Sequence, residues 1–326
     1  MISTIKDLHM SVTDKIIRML LKKKYLSLFL FTAMLLGAQT ANADEYELTT
    51  QLTISAAESG NPKAQNILAV MYGAGIRIEK NKELSLKWHK EAANNGNADS
   101  QYFLWGAYLF GDGVAIDKEK ASMLLKQAAD QDHLDAMIFL AEDYESAGGT
   151  ENYKLADNLY LRAAEQGHEK ALYKVAMMYL LGNGFPRDYN EALKYALKSA
   201  ELGYAPSEEL VGSLYKDGPG IKHDYQKSVY WTQKAAINGM AQAQTLLGIY
   251  LIDGTLIKRD KIFGYVNLKL GMMRDKFVRN ENTQAIAKNM LSSSELKKAS
   301  RLITACTKTN KITYSGCLEI YKQGNW

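Results

Sequence analysis

Apolar residues recur three and four positions apart through most of the chain, which is the spacing of one face of an α-helix and not of a β-strand. Each such stretch covers about a dozen residues and is followed by glycine, asparagine or aspartate. Large side chains alternate with small ones, so helix backbones can approach closely while the large side chains fill the adjacent groove. The pattern predicts an all-α chain of short, paired helices.

The helical pattern occurs six times in register. Counted from a residue that follows two small residues, the copies start 36, 36, 35, 36 and 36 residues apart, at Gly60, Gly96, Asp132, Gly167, Gly203 and Gly239. A small residue follows after four positions, an aliphatic one after eight, and tyrosine after twelve in five of the six copies. One helical hairpin cannot bury its own apolar face, so neighbouring hairpins must stack. The repeat therefore predicts an α/α superhelical solenoid of six two-helix repeats with a helical cap at each end.

The second helix of each copy follows a short polar residue that suits an N-cap. These residues are Asn81, Asp117, Asn152, Asp188, Asp224 and Asp260. The third copy departs from the pattern: it is one residue short, has Ala147-Gly148-Gly149 at its turn, and starts at an aspartate. We expect irregular packing there.

The same pattern gives the domain boundaries. Residues 44–59 are predicted to form an N-terminal capping helix, 60–275 the six repeats, and 276–326 a C-terminal cap. In that cap, Ser292 and Glu295 have the spacing of a capping box. Cys306 and Cys317 are the only cysteines. In an oxidising compartment they are expected to form a disulfide, with two unpaired thiols as the alternative.

Residues 1–43 have the order of a secretory signal peptide: three lysines at 22–24, an apolar run from Tyr25 to Gly37, and Ala41-Asn42-Ala43. The apolar run has 13 residues, whereas a membrane-spanning helix needs about 20. We therefore expect cleavage near Ala43 and a periplasmic or secreted protein that is not inserted in the membrane. A retained anchor is the weaker alternative.

Removal of this segment changes the charge of the protein. Residues 1–43 contain six basic and two acidic side chains, which equals the net charge of +4 of the whole chain. The remaining chain is formally neutral. Nucleic-acid binding depends on an excess of basic residues, so no nucleic-acid partner is predicted.

The repeats resemble the Sel-one-like repeat family, a relative of the tetratricopeptide repeats. The resemblance rests on Leu247-Gly248, on the segment Tyr108 to Val114, and on Ala92-Ala93-Asn94-Asn95-Gly96, and it covers residues 44–275. It implies a noncatalytic protein–protein interaction scaffold or adaptor in the periplasm of a Gram-negative bacterium. The alternative that it implies is an immunity protein that neutralises a phospholipase effector of the type VI secretion system. The expected partner is a protein, and in the second case a secreted effector or toxin.

An enzymatic reading has little support in the sequence. Two S-x-x-K strings, Ser213 to Lys216 and Ser294 to Lys297, fit a penicillin-binding or β-lactamase-like enzyme, but no S-D-N or K-T-G motif accompanies them. The histidines of the mature chain, His89, His133, His168 and His223, lie in different copies and do not form a metal-ligand or catalytic motif. We therefore predict no catalytic, cofactor-binding or metal-binding residue.

The resemblance also implies which residues contact a partner. In tetratricopeptide-like solenoids the first helix of each hairpin lines the concave face, at positions six and ten of the copy. Position six holds Asn66, Tyr102, Ile138, Tyr173, Glu209 and Thr245, and position ten holds Val70, Gly106, Glu142, Met177, Ser213 and Ile249. The predicted protein-binding residues are Asn66, Tyr102, Trp105, Glu142, Tyr173 and Glu209. Because aromatic residues dominate binding hot spots, Tyr102 and Tyr173 lead this set, with a role in the core as the alternative.

Overall fold

A computed structural model describes residues 43–254, 256–275, 285, 288–310 and 312–324. The predicted signal peptide, apart from Ala43, lies outside the described residues. Within them the regular elements are α1 (Ala43–Glu58), α2 (Pro62–Ala74), α3 (Lys82–Asn94), α4 (Ala98–Phe110), α5 (Lys118–Asp130), α6 (Leu134–Ala147), α7 (Thr150–Glu165), α8 (Glu169–Leu181), α9 (Tyr189–Glu201), α10 (Ala205–Asp217), α11 (Tyr225–Ile237), α12 (Ala241–Asp253), α13 (Lys261–Arg274), α14 (Ser293–Lys308) and α15 (Tyr314–Gln323). No helix in these ranges has both the length and the apolarity needed to cross a bilayer.

The described residues divide into two compact units, an N-terminal unit up to Leu140 and a C-terminal unit from Ala141 onwards. In the N-terminal unit, α1 packs on α2, and the hairpins α2–α3 and α4–α5 stack through α3 and α4. In the C-terminal unit, the hairpins α8–α9, α10–α11 and α12–α13 stack in the same way. The prediction of an all-helical solenoid of paired helices is confirmed.

The predicted N-caps are present at Asn81, Asp117, Asp188, Asp224 and Asp260, whose side chains accept hydrogen bonds from first-turn N–H groups. The prediction for Asn152 is wrong. Gly148 and Gly149 both have positive φ, so the chain turns early and α7 begins at Thr150. Asn152 then lies inside the first turn, where its Nδ2 donates a hydrogen bond to the Gly148 carbonyl at 2.8 Å.

The turn between copies requires a residue with positive φ, which glycine adopts most easily. Gly96 has a φ of 86°, and Asp132, which replaces glycine in the third copy, has a φ of 60°. The two small residues before each turn are buried, as Ala128 and Ala129 show. The backbone turn is thus preserved at Asp132, and the third copy departs from the other copies at its Gly148-Gly149 turn.

A second device fixes the two ends of a copy to each other. In four copies position five places a polar side chain in the interior, and the last residue of the same copy forms a hydrogen bond with it. This polar ladder consists of Asn95 to Gln65 at 2.9 Å, Gln131 to Gln101 at 2.7 Å, Asn238 to Glu208 at 2.9 Å and Arg274 to Gln244 at 3.0 Å. Gln65 and Gln101 also donate to the carbonyls of Ala57 and Ala93 near the preceding turn. The ladder therefore satisfies polar groups that would be costly to bury alone.

The helices of the last hairpin, α12 and α13, lie unusually close together. A Cβ atom added at Gly248 would lie 2.6 Å from the Leu268 amide nitrogen and 2.7 Å from the Gly264 carbonyl oxygen. One added at Gly271 would meet the Ala241 carbonyl oxygen at 2.8 Å. Glycine is required at these positions because the backbones occupy the space of a side chain.

The C-terminal helices cover this hairpin. The capping box at Ser292 and Glu295 starts α14 as predicted. Cys306 and Cys317, both fully buried, form a disulfide between α14 and α15. The Tyr321 hydroxyl on α15 donates to the Asp260 carboxylate at 2.6 Å, which raises the pKa of Tyr321 to about 12 through burial and this hydrogen bond. The C-terminal segment is therefore bound to the last repeat.

Candidate protein-binding site

The first-helix face is defined here as positions six and ten of the copies. Of the predicted binding residues on it, Asn66, Tyr102, Tyr173, Glu142 and Glu209 are half-buried, so each presents some surface to solvent. Two other members of the face do not: Ile138 is 2% exposed and Thr245 is 5% exposed. Thr245 is covered because Gly271 allows α13 to approach it, and the apolar Ile138 is stabilised by burial.

A cavity of about 610 Å³ opens on the first-helix face of the N-terminal unit. It is called here the N-terminal cavity. Asn66 and Tyr102 line it together with His89, Phe103, Asp99, Asp112, Asp135, His133 and Lys82. Two of the predicted binding residues therefore meet at one concave site.

Aromatic rings form one wall of this cavity. The Tyr102 ring stacks on the rings of Trp105 and His133, with centroids 5.2 Å and 4.6 Å apart. Trp105 contacts Phe139 at 4.7 Å. Tyr102 and Trp105 are half-buried. Tyr102 thus belongs to a packed aromatic cluster and also lines the cavity, and its contact with a partner stays a prediction.

A chain of polar contacts crosses the cavity wall. The Ser100 hydroxyl donates to Asn66 Oδ1 at 2.8 Å and lies 3.0 Å from His89 Nδ1. Asn66 Nδ2 donates to an Asp99 oxygen at 3.5 Å, and the other Asp99 oxygen lies 3.6 Å from His133 Nε2. Because the single hydroxyl proton of Ser100 is directed to Asn66, Ser100 must accept from His89, which assigns the proton of a neutral His89 to Nδ1.

His89 is 3% exposed, and burial lowers its pKa to about 4. Its pKa in the unfolded chain is near 6.5, so protonation favours unfolding, and the stability that the neutral ring confers is present above pH 6.5 and lost as the pH falls towards 4. We expect the free energy of unfolding to fall by about 2 kcal/mol between pH 7 and pH 5 from this group alone. Urea denaturation at several pH values measures it.

The matched variant for this prediction is His89→Leu, because Leu125 and Leu268 occupy the same position in other copies. In that variant the pH dependence between 7 and 5 should become shallower by the same amount. Parallel pH profiles for the native protein and the variant would contradict the assignment.

The C-terminal unit has a cavity of about 830 Å³ on its own first-helix face. Tyr173 lines it, together with Tyr153, Asp157, Glu145, Lys174 and Met177. A Glu145 carboxylate oxygen accepts from Lys174 Nζ at 2.7 Å and from the Tyr160 hydroxyl at 2.9 Å. Burial, and next the charge of Glu145, raise the pKa of Asp157. This site has two carboxylates and one lysine in its wall, against three carboxylates and one lysine in the N-terminal cavity, and its wall contains no histidine.

The remaining predicted residues lie outside both cavities. The Glu142 carboxylate pairs with Lys170 Nζ at 2.6 Å. Burial raises the pKa of Glu209, and the nearby Asp275 contributes to the shift. Trp105 supports Tyr102 but does not line the N-terminal cavity. The structure thus brings Asn66 and Tyr102 together and leaves Glu142 and Glu209 as separate surface groups.

The residues proposed for chemistry occupy structural positions. His133 and His168 accept hydrogen bonds from the amides of Ala136 and Ala171 at the starts of α6 and α8. Ser213 is exposed on α10, and Lys216, one turn later, pairs with Asp217 at 3.2 Å, an interaction that raises the pKa of Lys216. A protonated lysine is a poor general base. In the part of the chain that the structure describes, no group of three or more histidine, cysteine, aspartate or glutamate side chains could hold a metal ion.

Several cavity residues were missed in the sequence, notably His89, Phe103, Asp99 and the stacking role of His133. The sequence could have indicated His89, because it is the one histidine at its position of the repeat. The other copies hold Leu125, Tyr160, Ala196, Thr232 and Leu268 there. Phe103 is 44% exposed beside it and stacks on its ring at 3.8 Å. No sequence signal pointed to Asp99 or Phe103.

The sequence model of one repeat family matches most of the helical array. This is the Sel1 repeat, and it matches residues 62–97, 98–133, 134–168, 169–204, 205–240 and 241–266. No curated protein matches the chain in sequence.

Two solved structures with TM-scores above 0.5 show the same fold. The chain is similar to c5321, a protective antigen present in uropathogenic Escherichia coli strains that displays an SLR fold, with a TM-score of 0.67 and 24% identity. The match covers 84% of this chain and only 59% of that one. A Sel1 repeat protein from Oxalobacter formigenes has a TM-score of 0.60 and 29% identity, over 72% of this chain and 96% of that one. Immunity protein PA5088 from Pseudomonas aeruginosa has a TM-score of 0.41 and 18% identity, over 65% and 81%.

Proposed function

Because this chain belongs to the Sel1 repeat family, whose members are protein-interaction scaffolds, we propose that it is an exported, noncatalytic scaffold that binds a protein partner on its first-helix face. The N-terminal cavity is the main binding site in this proposal, with Tyr102 at its centre. The cavity of the C-terminal unit, lined by Tyr173, is a second contact site.

The observation that supports this proposal most is the contrast between the two kinds of position in the repeat. Framework positions such as Leu68, Leu104 and Val175 are buried and similar in every copy. Most of the first-helix face is partly exposed, and its residues differ from copy to copy. Packing requires the first set to be uniform. A surface that recognises one particular partner needs the second set to be varied and partly accessible.

Capture of proteins from an envelope extract tests the proposal. The bait is the chain from residue 44, and it is compared with the variant Tyr102→Ala/Tyr173→Ala. The control variant is Tyr225→Ala, which removes an exposed tyrosine from the second helix of a hairpin. We expect partners that bind the native chain and the control but not the double variant. With a purified partner, the double variant should bind at least about tenfold more weakly, as loss of hot-spot residues does.

The proposal fails if the double variant, folded as judged by circular dichroism, retains every partner with native affinity. The kind of partner separates the two versions of the function. A single partner in a tight complex, with loss of that partner's activity on binding, favours an inhibitor. Several weaker partners favour an adaptor. Cleavage near Ala43 is tested by sequencing the N-terminus of the protein purified from periplasm.

A further inference from the structure

The N-terminal cavity has an unbalanced set of charges. Asp99, Asp112 and Asp135 line it, and Lys82 is the one lysine or arginine that does. Asp112 and Asp135 are exposed, and Asp99 keeps most of its carboxylate accessible beside His133. Carboxylates at the rim of a partly apolar cavity favour a cationic group in it, since the low-dielectric wall strengthens the attraction.

The floor of the cavity adds a hydrogen-bond acceptor. His89 lines the cavity although its side chain is almost completely buried. Its Nδ1–H is used by Ser100. A neutral imidazole with the proton on Nδ1 presents a lone pair on Nε2. The lowered pKa keeps this ring neutral at pH 7. The lone pair of a neutral ring in the cavity wall fits an N–H donor from a ligand.

The acceptors and the partly apolar wall decide between two kinds of cation. Phe103 and Tyr102 line the cavity, Phe103 stacked on His89 and Tyr102 on Trp105 and His133. A planar guanidinium is weakly hydrated and can donate several N–H groups at once to carboxylates and to an imidazole nitrogen. An ammonium group is a point donor with a strong hydration shell. The combination of an apolar wall and several acceptors therefore favours arginine over lysine.

We propose that the N-terminal cavity binds an arginine side chain of the protein partner, with the guanidinium inside the cavity, His89 Nε2 as one acceptor, and the aspartates of the rim as counter-charges. This inference rests on the proposed function, because it assumes that the occupant belongs to a protein. It adds the chemical group that the cavity selects.

A titration with short peptides tests the inference without the natural partner. The probes are acetyl-Gly-Arg-Gly-amide, the same peptide with citrulline, and the same peptide with lysine, followed by the NMR signal of the Trp105 indole N–H next to Tyr102. Citrulline preserves the shape of arginine without its charge. We expect saturable binding of the arginine peptide, weaker binding of the lysine peptide, and binding of the citrulline peptide weaker by at least about tenfold.

Variants locate the binding site. We expect His89→Leu to weaken binding of the arginine peptide by about tenfold, since a hydrogen bond to a charged group is lost. Asp112→Asn and Asp135→Asn should each weaken it a few-fold, and Lys82→Gln should strengthen it. Glu119→Gln is the control, because this exposed carboxylate is not in the cavity wall.

Three results would overturn the inference: equal binding of the arginine and citrulline peptides, tighter binding of the lysine peptide, or native affinity in His89→Leu. If the arginine peptide does not bind but Tyr102→Ala/Tyr173→Ala still loses a protein partner, the proposed function stands and only the arginine pocket is wrong. If the peptide binds and no protein partner depends on Tyr102 or Tyr173, the pocket stands and the scaffold proposal is wrong.

Discussion

Replacement of Gly248 by alanine should destabilise the C-terminal unit by about 3 kcal/mol, the upper end of the usual cost of overpacking a core. The added methyl group would lie 2.6 Å from the Leu268 amide nitrogen and 2.7 Å from the Gly264 carbonyl oxygen. Both are backbone atoms of α13, so they cannot move aside as the end of a flexible side chain can. The two helices must separate, and the contacts of the last hairpin weaken. Urea denaturation followed by circular dichroism measures the change.

Gly106→Ala is the matched control for this prediction. Gly106 also lies within a first helix, but a Cβ atom added there meets nothing within 4 Å. Because alanine is the better helix former, this variant should be more stable than the native chain, by up to about 1 kcal/mol. If Gly248→Ala unfolds at the same urea concentration as the native chain, the backbones of α12 and α13 do not approach as closely as described here.

Loss of the disulfide should lower the free energy of unfolding of the C-terminal unit by a similar amount. Cys306 and Cys317 are separated by 11 positions, and the chain-entropy model gives about 3 kcal/mol for closure of such a loop. We expect Cys306→Ser/Cys317→Ser to release α14 and α15 from the last hairpin at lower urea concentration than the native chain. Hydrogen exchange of the amides in these two helices provides the local measurement.

Reductant supplies the internal control. Dithiothreitol should bring the native chain to the stability of the double variant and leave the variant itself unchanged. Equal stability of the oxidised native chain and the variant would show that α14 and α15 are held by their apolar contacts alone.

Local signals in the sequence were reliable because their causes are local. An aspartate before a helical stretch caps it through bonds to the next three residues, which is why Asp117, Asp188 and Asp224 behave as predicted. The same reasoning failed at Asn152, where Gly148 and Gly149 moved the helix start by three residues, from the predicted N-cap Asn152 to Gly149. Repetition with a fixed period was equally informative for the fold, since it reports the packing unit directly.

The site was harder to predict because it depends on contacts between copies. The pattern placed Tyr102 and Asn66 on the first-helix face, but nothing local shows that His133, at the following turn, stacks on Tyr102. The exposure of the face also varies with the distance between helices: Thr245 is buried because α13 approaches at Gly271. A uniform template of exposed positions cannot include such differences.

The polar ladder restricts where the array can recombine. Glu208 is fully buried and accepts hydrogen bonds from Asn238, the last residue of the same copy, through both of its carboxylate oxygens. A hybrid copy that joined the start of the fifth copy to the end of the fourth, which is Leu202, would leave this carboxylate without its donor. Exchange between the repeats is therefore expected to keep position five and the last residue of a copy together, so that whole copies are the units of inheritance.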